Sequence, residues 1–237
     1  MERPTQRIKS LGREELTAFA SENLPQLVED EVLALLDNPH CSSVLCGAVA
    51  QVPRLTGFYS VRVRLVAHRA TPQAHAVKLV HYLYWTDLVR LSVDVTVPAP
   101  VRRSIDKQLL LHVDKLSLGE KLTVARRCSQ ALIKALLFDP EPRVLASLLI
   151  NPRLREDDVV LLAASSRASA DHLRLVAADR RWSFRYAVRK ALVLNPVTPR
   201  STAAAQLRFL TRRDLEMIHS KPDTSVYLRR CIERFIE

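Results

Sequence analysis

One stretch of this chain lies over another without a gap. Residues 59–105 align with residues 186–232 at a constant offset of 127. Tyr59 meets Tyr186, Val61 meets Val188, and Arg62 meets Arg189. Leu65-Val66 meets Leu192-Val193, Thr71-Pro72 meets Thr198-Pro199, and Asp87-Leu88 meets Asp214-Leu215. Arg102-Arg103 meets Arg229-Arg230, and Ile105 meets Ile232. A repeat of this length requires both segments to share one local fold. A second anchor, Asn38-Pro39 against Asn151-Pro152, lies at an offset of 113, which asks for about 14 residues inserted in the second copy.

The repeat decides between helix and strand. SVRVRLV (60–66) alternates polar and apolar like a half-buried strand. Val63, which that pattern needs, faces Lys190 in the second copy, whereas Val61 and Leu65 face Val188 and Leu192. Period 2 is lost between copies and the i, i+4 spacing survives, so the segment is a helix. LSVDVTV (91–97) looks like another strand, but its counterpart carries Pro222 opposite Val95, which an inner strand does not tolerate. Ala76, Val77, Val80 and Leu83 form a helical stripe repeated by Ala203, Ala204, Leu207 and Leu210. Val101, Ile105 and Leu109 match Leu228, Ile232 and Ile236. Three short amphipathic helices per copy follow.

The connections are tight. In ALVLNPVTPR (191–200), Asn195 ends a helix and Pro196 blocks its continuation. Thr198 is placed to cap the next helix, with Pro199 in its first turn. LLDNP (35–39) and LLINP (148–152) carry the same stop, and LLFDP (136–140) is a near variant. Thirteen prolines and only 4 glycines fit many short helices better than a sandwich or barrel.

The recurring pattern of VR, NP, TP, DL and VRR resembles bacterial HEAT-like repeats, and most of all the leucine-rich repeat variant group. The likeness runs over roughly 30–237. It implies an all-α fold: an α-solenoid of short antiparallel helices with a duplication offset of about 127 residues. Residues 1–30 are then capping helices, 31–118 the first half and 119–237 the second, in one continuous array. Some members of that group hold an iron–sulfur cluster on an N-terminal cysteine cluster. Cys41 and Cys46 are only a C-x4-C pair, so no cluster is carried over.

Charge is lopsided. Residues 1–118 carry 14 Lys/Arg and 12 Asp/Glu, a net of +2, while 119–237 carry 22 and 13, a net of +9. A basic half attracts acidic partners, nucleic acid among them. Arginine pairs punctuate the chain, and the candidate basic surface is Arg126, Arg127, Arg180, Arg181, Arg185, Arg189, Arg212, Arg213, Arg229 and Arg230. If these track phosphates, Trp85 and Trp182 are the residues to stack on bases. The opposing account makes the arginines solvated or helix-capping and the tryptophans core.

Little here points to catalysis. No nucleophile elbow, phosphate-cradling glycine loop or HExxH occurs. Asp87 and Asp214, present in both copies, read as helix caps, and Glu156-Asp157-Asp158 reads as the acidic start of a helix. Trp182 near Asp179 is the one pairing the sequence offers to the reading as a helical-repeat DNA glycosylase. His68, His75 and His81 lack the i, i+4 spacing of a metal pair on one helix, and their counterparts Asn195, Thr202 and Arg208 are not ligands. His40, Cys41 and Cys46 offer three ligands, but small buried cysteines are the better reading of the pair. No metal site and no cofactor are expected. The N-terminus has no apolar signal core and no apolar run spans a bilayer, so a cytoplasmic protein with reduced cysteines and no membrane span is expected. The functional expectation is a non-enzymatic scaffold that binds another protein or peptide, with nucleic-acid binding by the basic half as the alternative.

Overall fold

The computed structural model describes residues 4–236, and every regular element among them is helical. Contacts divide the chain into two compact units, Met1–Asp114 and Lys115–Glu237. The first unit holds α1 (Pro4–Ser10), α2 (Arg13–Asn23), α3 (Glu29–Asp37), α4 (Ser43–Gln51), α5 (Pro53–Thr56), α6 (Tyr59–Ala67), α7 (Gln73–Val80), α8 (Trp85–Ser92) and α9 (Ala99–His112). The second holds α10 (Leu118–Ala125), α11 (Gln130–Leu136), α12 (Pro142–Leu149), α13 (Glu156–Ala164), α14 (Ala170–Ala178), α15 (Tyr186–Leu194), α16 (Arg200–Leu207), α17 (Arg212–Ser220) and α18 (Val226–Ile236).

Residues 59–67 are a helix because only that geometry puts Val61, Leu65 and Val66 together in the core while Arg64 between them stays exposed and Arg62 half-buried. α15 buries Val188, Leu192 and Val193 in the same way. Each such side chain contributes about 2 kcal/mol when removed from water. The apparent strand at 91–97 is the last turn of α8 followed by a turn.

Helices α3, α4, α6, α7 and α9 begin at residues 29, 43, 59, 73 and 99, while α13, α14, α15, α16 and α18 begin at 156, 170, 186, 200 and 226. The separation is 127 in all five pairs, so helix register needs no 14-residue insertion. The expected insertion came from matching Asn38 with Asn151. Both close a helix, but they belong to different corners. At an offset of 127, Asn38 faces Ser165 instead.

Those corners share one device. A residue just beyond the helix, the first in three cases and the second at Asn151, uses its side chain to accept the N–H two residues on. Asn38 takes His40 N–H at 2.7 Å, Asn151 takes Arg153 N–H at 2.8 Å, Asn195 takes Val197 N–H at 2.9 Å, and Ser165 takes Arg167 N–H at 3.2 Å. This polar turn replaces the backbone bond that a continuing helix would have made. The buried asparagines also donate across to an earlier corner. Asn195 Nδ2 reaches Ala163 O at 2.7 Å and Ser165 O at 2.9 Å, and Asn151 Nδ2 reaches Ala125 O at 2.8 Å. Orphan carbonyls at one helix end are thus satisfied by the next corner.

Within each unit, helices pack against those two or three places along. α1 lies on α3 and α3 on α6, while α10 lies on α12, α12 on α14, α13 on α15 and α16 on α18. The last core layer of the second unit comprises Val193, Leu207, Leu210, Leu215, Ile218 and Ile232.

Candidate functional site

Thr198 does not cap α16. Pro199 takes that position, and Thr198 Oγ1 is buried without a hydrogen-bond partner, as is Thr71 Oγ1 at the matching corner. Asp87 and Asp214 are not N-caps either. They lie in the first turns of α8 and α17, behind Tyr84 and Thr211. Tyr59 donates its hydroxyl to Asp87 Oδ2 at 2.5 Å, and the Tyr59 hydroxyl oxygen in turn accepts Tyr84 N–H at 3.0 Å. Tyr186 donates to Asp214 and accepts Thr211 N–H at 3.1 Å. Lys190 adds an ion pair to Asp214 at 2.9 Å, and Arg90 one to Asp87 at 3.0 Å. The Tyr186 hydroxyl and then Lys190 hold the Asp214 carboxyl below its ordinary value. Burial, helped by Asp87, pushes the Tyr59 phenol up. Both carboxylates are committed to holding one helix start onto another, which is structural work.

The second chemically distinctive place is a cluster of Cys41, Cys46 and His68. Cys41 Sγ lies 3.6 Å from Cys46 Sγ, and Cys46 Sγ lies 3.3 Å from His68 Nδ1. The three ligand atoms all fall within 4.8 Å of one another. Three local features assemble them. Ser42 caps α4 by accepting Leu45 N–H, which sets Cys41 just before the helix and Cys46 in its second turn. Gly47 brings α4 against the Thr71-Pro72 corner, with Pro72 Cγ 3.4 Å from where a methyl would stand. His68 follows α6 at the corner position, and its Nδ1 accepts Ala70 N–H at 3.2 Å. That bond assigns the lone pair to Nδ1 and the proton to Nε2.

Cys46 is fully buried and Cys41 nearly so, while His68 is half-buried. The thiols share their protons unequally. Donation from the Cys41 thiol favours the Cys46 anion and holds it down to about 5, against the opposing effect of burial and with help from His68. The same hydrogen bond, with burial, pushes the Cys41 thiol up. Sequence reading grouped these cysteines with His40, which is exposed and lies at the turn after Asn38. The residue that joins them is His68. At an offset of 127 the three positions hold Ala168, Leu173 and Asn195. Extending the ungapped alignment upstream of residue 59 would have exposed that joint replacement.

The candidate basic residues separate into two groups. Arg181 donates to Asn151 O at 3.2 Å, Arg189 to Ser183 O at 2.6 Å, and Arg229 to Lys221 O at 2.8 Å. Arg185 and Arg212 face Glu156 at 3.7 Å and Glu216 at 3.0 Å. Arg126, Arg127, Arg180, Arg213 and Arg230 are exposed, with no ion-pair partner among the described residues. Trp182 offers no open ring for stacking. It is 3% exposed, its indole N–H donates to Leu149 O at 3.2 Å, and Arg181 covers it at 4.4 Å. Trp85 is half-buried at the start of α8.

Sequence reading missed an exposed aromatic surface in the second unit. Phe184 is 56% exposed, and Tyr186 and Phe209 are also open. Arg189 sits 3.7 Å from the Phe209 ring centre, Arg208 lies 4.6 Å from that ring, and Arg185 lies 5.2 Å from Phe184. None of the described helices is long and apolar enough to cross a membrane. Comparison with protein-family models, curated proteins and solved structures returns no match to this chain.

Proposed function

We propose that the chain is a tandem duplication of helical repeats, similar to HEAT-like and leucine-rich-repeat-variant arrays, and that it works as a non-enzymatic protein-binding module. Support for the duplication comes from the common separation of helix starts and from the Tyr59–Asp87 and Tyr186–Asp214 pairs, which repeat the same bonds 127 residues apart. The binding reading rests on one observation: Phe184, Tyr186 and Phe209 are exposed with arginines laid against two of the rings. Aromatic residues and arginine are what protein interfaces concentrate at their energetic centres. Stacked guanidiniums remain free to pair with carboxylates at their edges, so the partner is an acidic, partly apolar protein segment.

The test is affinity capture with the wild-type chain beside a Phe184→Ala, Arg208→Glu double variant. Both positions are exposed, so the fold is retained. A partner held by wild type and lost by the variant supports the reading. Identical capture by both removes this surface from consideration.

The five exposed arginines that have no ion-pair partner among the described residues favour a second reading, binding to a phosphate backbone. It requires a complex with single- or double-stranded nucleic acid that weakens steeply between about 50 and 200 mM salt. Arg180→Glu with Arg213→Glu should abolish that complex. No gel shift at low salt would end this alternative.

A further inference from the structure

We propose that Cys41, Cys46 and His68 form a binding site for a zinc ion, with the fourth coordination position left to water or an exogenous ligand. Two sulfurs and one imidazole nitrogen are a characteristic zinc donor set, and three protein ligands are what open zinc sites use. Spacing carries the argument further than composition. A tetrahedral zinc with bonds of about 2.3 Å to sulfur and 2.0–2.1 Å to nitrogen sets sulfur about 3.8 Å from sulfur and 3.5 Å from nitrogen. The corresponding separations here are 3.6 Å and 3.3 Å. Those two edges already match a coordinating set, and the third, Cys41 to His68, lies within 4.8 Å and is the one that loading would have to close.

The donors are also preorganised. Cys41 and His68 sit at helix boundaries fixed by their own local bonds, Cys41 through its N–H to Asn38 O at 2.9 Å and His68 through its N–H to Arg64 O at 2.9 Å, while Cys46 is held inside α4 by its N–H to Ser42 O at 3.0 Å. The Ala70 N–H keeps Nδ1 in the lone-pair form that a metal needs. A zinc ion would compete for that lone pair, so loading gives up one corner hydrogen bond. The two thiol protons leave to solvent as the sulfurs bind as thiolates. At the same place in the second unit, Ala168 and Leu173 are buried and apolar, and Asn195 is held by three hydrogen bonds. The corner therefore does not need a thiol or an imidazole to fold. All three departures in the first unit are toward metal-binding side chains.

The experiment uses the full chain with thiols kept reduced. Wild type is expected to bind one equivalent of Zn2+ and, with Co2+ as probe, to show thiolate charge-transfer and tetrahedral d–d absorption. The triple variant Cys41→Ala, Cys46→Leu, His68→Asn installs the residues found at 168, 173 and 195. It should keep the helical circular dichroism and lose Zn2+ affinity by at least about 100-fold, beyond what changes outside the ligand sphere cause. Should it fail to fold, His68→Asn alone carries the test through loss of the Co2+ spectrum. Cys231→Ser must leave binding intact. The proposal is overturned by no Zn2+ uptake in reduced wild type. Equal uptake by the triple variant, or a Cys41–Cys46 disulfide forming under air with no metal bound when reduced, would overturn it too.

Discussion

The corners at His68 and Asn195 occupy matching places 127 residues apart, and they spend the same backbone geometry differently. Both follow a nine-residue helix, and both use a side-chain atom to accept the N–H two residues on. Asn195 then turns its two amide protons on the carbonyls of Ala163 and Ser165, so every polar atom it owns is used for architecture. His68 turns its ring toward Cys46 instead. One corner is a closed hydrogen-bond network, whereas the other has traded part of that network for an electron-pair donor beside two thiols. Two corners of like geometry make the difference visible, because Asn195 shows that the turn closes without a thiol or an imidazole beside it.

The largest expected effect tests the closed corner. Asn195→Ala removes three hydrogen bonds at a site 4% exposed and leaves two carbonyls without their donor. A loss of about 3 kcal/mol in unfolding free energy is expected. Under urea denaturation, His68→Asn should instead stay within about 1 kcal/mol of wild type, since asparagine is the side chain this corner accepts elsewhere. Equal losses at the two positions would mean that the corners are not built alike.

Next come the tyrosines that tie the following helices down. Tyr186→Phe leaves Thr211 N–H and the Asp214 carboxylate each short of a partner, as Tyr59→Phe does for Tyr84 N–H and Asp87. Solvent reaches both sites, so each change should cost only about 1–1.5 kcal/mol. The prediction concerns their equality. Thermal unfolding shifts that differ severalfold between the two would break the correspondence of the units.

What the residues disclosed before any coordinates follows the same division. Helix against strand was legible because Lys190 stands where a strand would need Val63, so two copies voted on the periodicity. Helix ends were legible because proline and asparagine act locally. The corner chemistry was only partly so. Thr198 next to Pro199 reads as a cap, yet the hydroxyl is left without a partner, because proline itself takes the boundary position. Trp182 is indistinguishable by sequence from a stacking platform, and burial is a tertiary property. The Cys41, Cys46 and His68 cluster was hidden for another reason. His68 is 22 residues beyond Cys46, and their approach depends on how α4 and α6 flank one corner. Matching Asn38 to Asn151 also broke the alignment upstream, where the replacement by Ala168 and Leu173 would have stood out.

The smallest effect comes from the reverse asymmetry, a titratable group in the second unit where the first is apolar. His172 follows the Ser169 cap of α14 as Leu45 follows the Ser42 cap of α4. It is 2% exposed, its Nδ1 takes Ser169 N–H at 3.4 Å, and its Nε2 is buried without a hydrogen-bond partner. Burial pushes its pKa below the ordinary 6.5, with Asp139 and Asp171 opposing. Between the folded value and 6.5 the unfolded chain binds more protons than the native one. Stability is therefore fully present above about 6.5 and falls as the pH drops below it. The slope is bounded by about 1.4 kcal/mol per pH unit, and the opposing Asp139 backbone, with the Asp139 and Asp171 carboxylates after it, makes it smaller. His172→Leu installs the first unit's solution and should flatten the pH dependence of the melting temperature below about 6.5 while leaving its value near pH 8 almost unchanged. An unaltered acid slope in that variant would assign the sensitivity to the carboxylates and leave the buried imidazole as a neutral packing group, equivalent to the leucine it replaces.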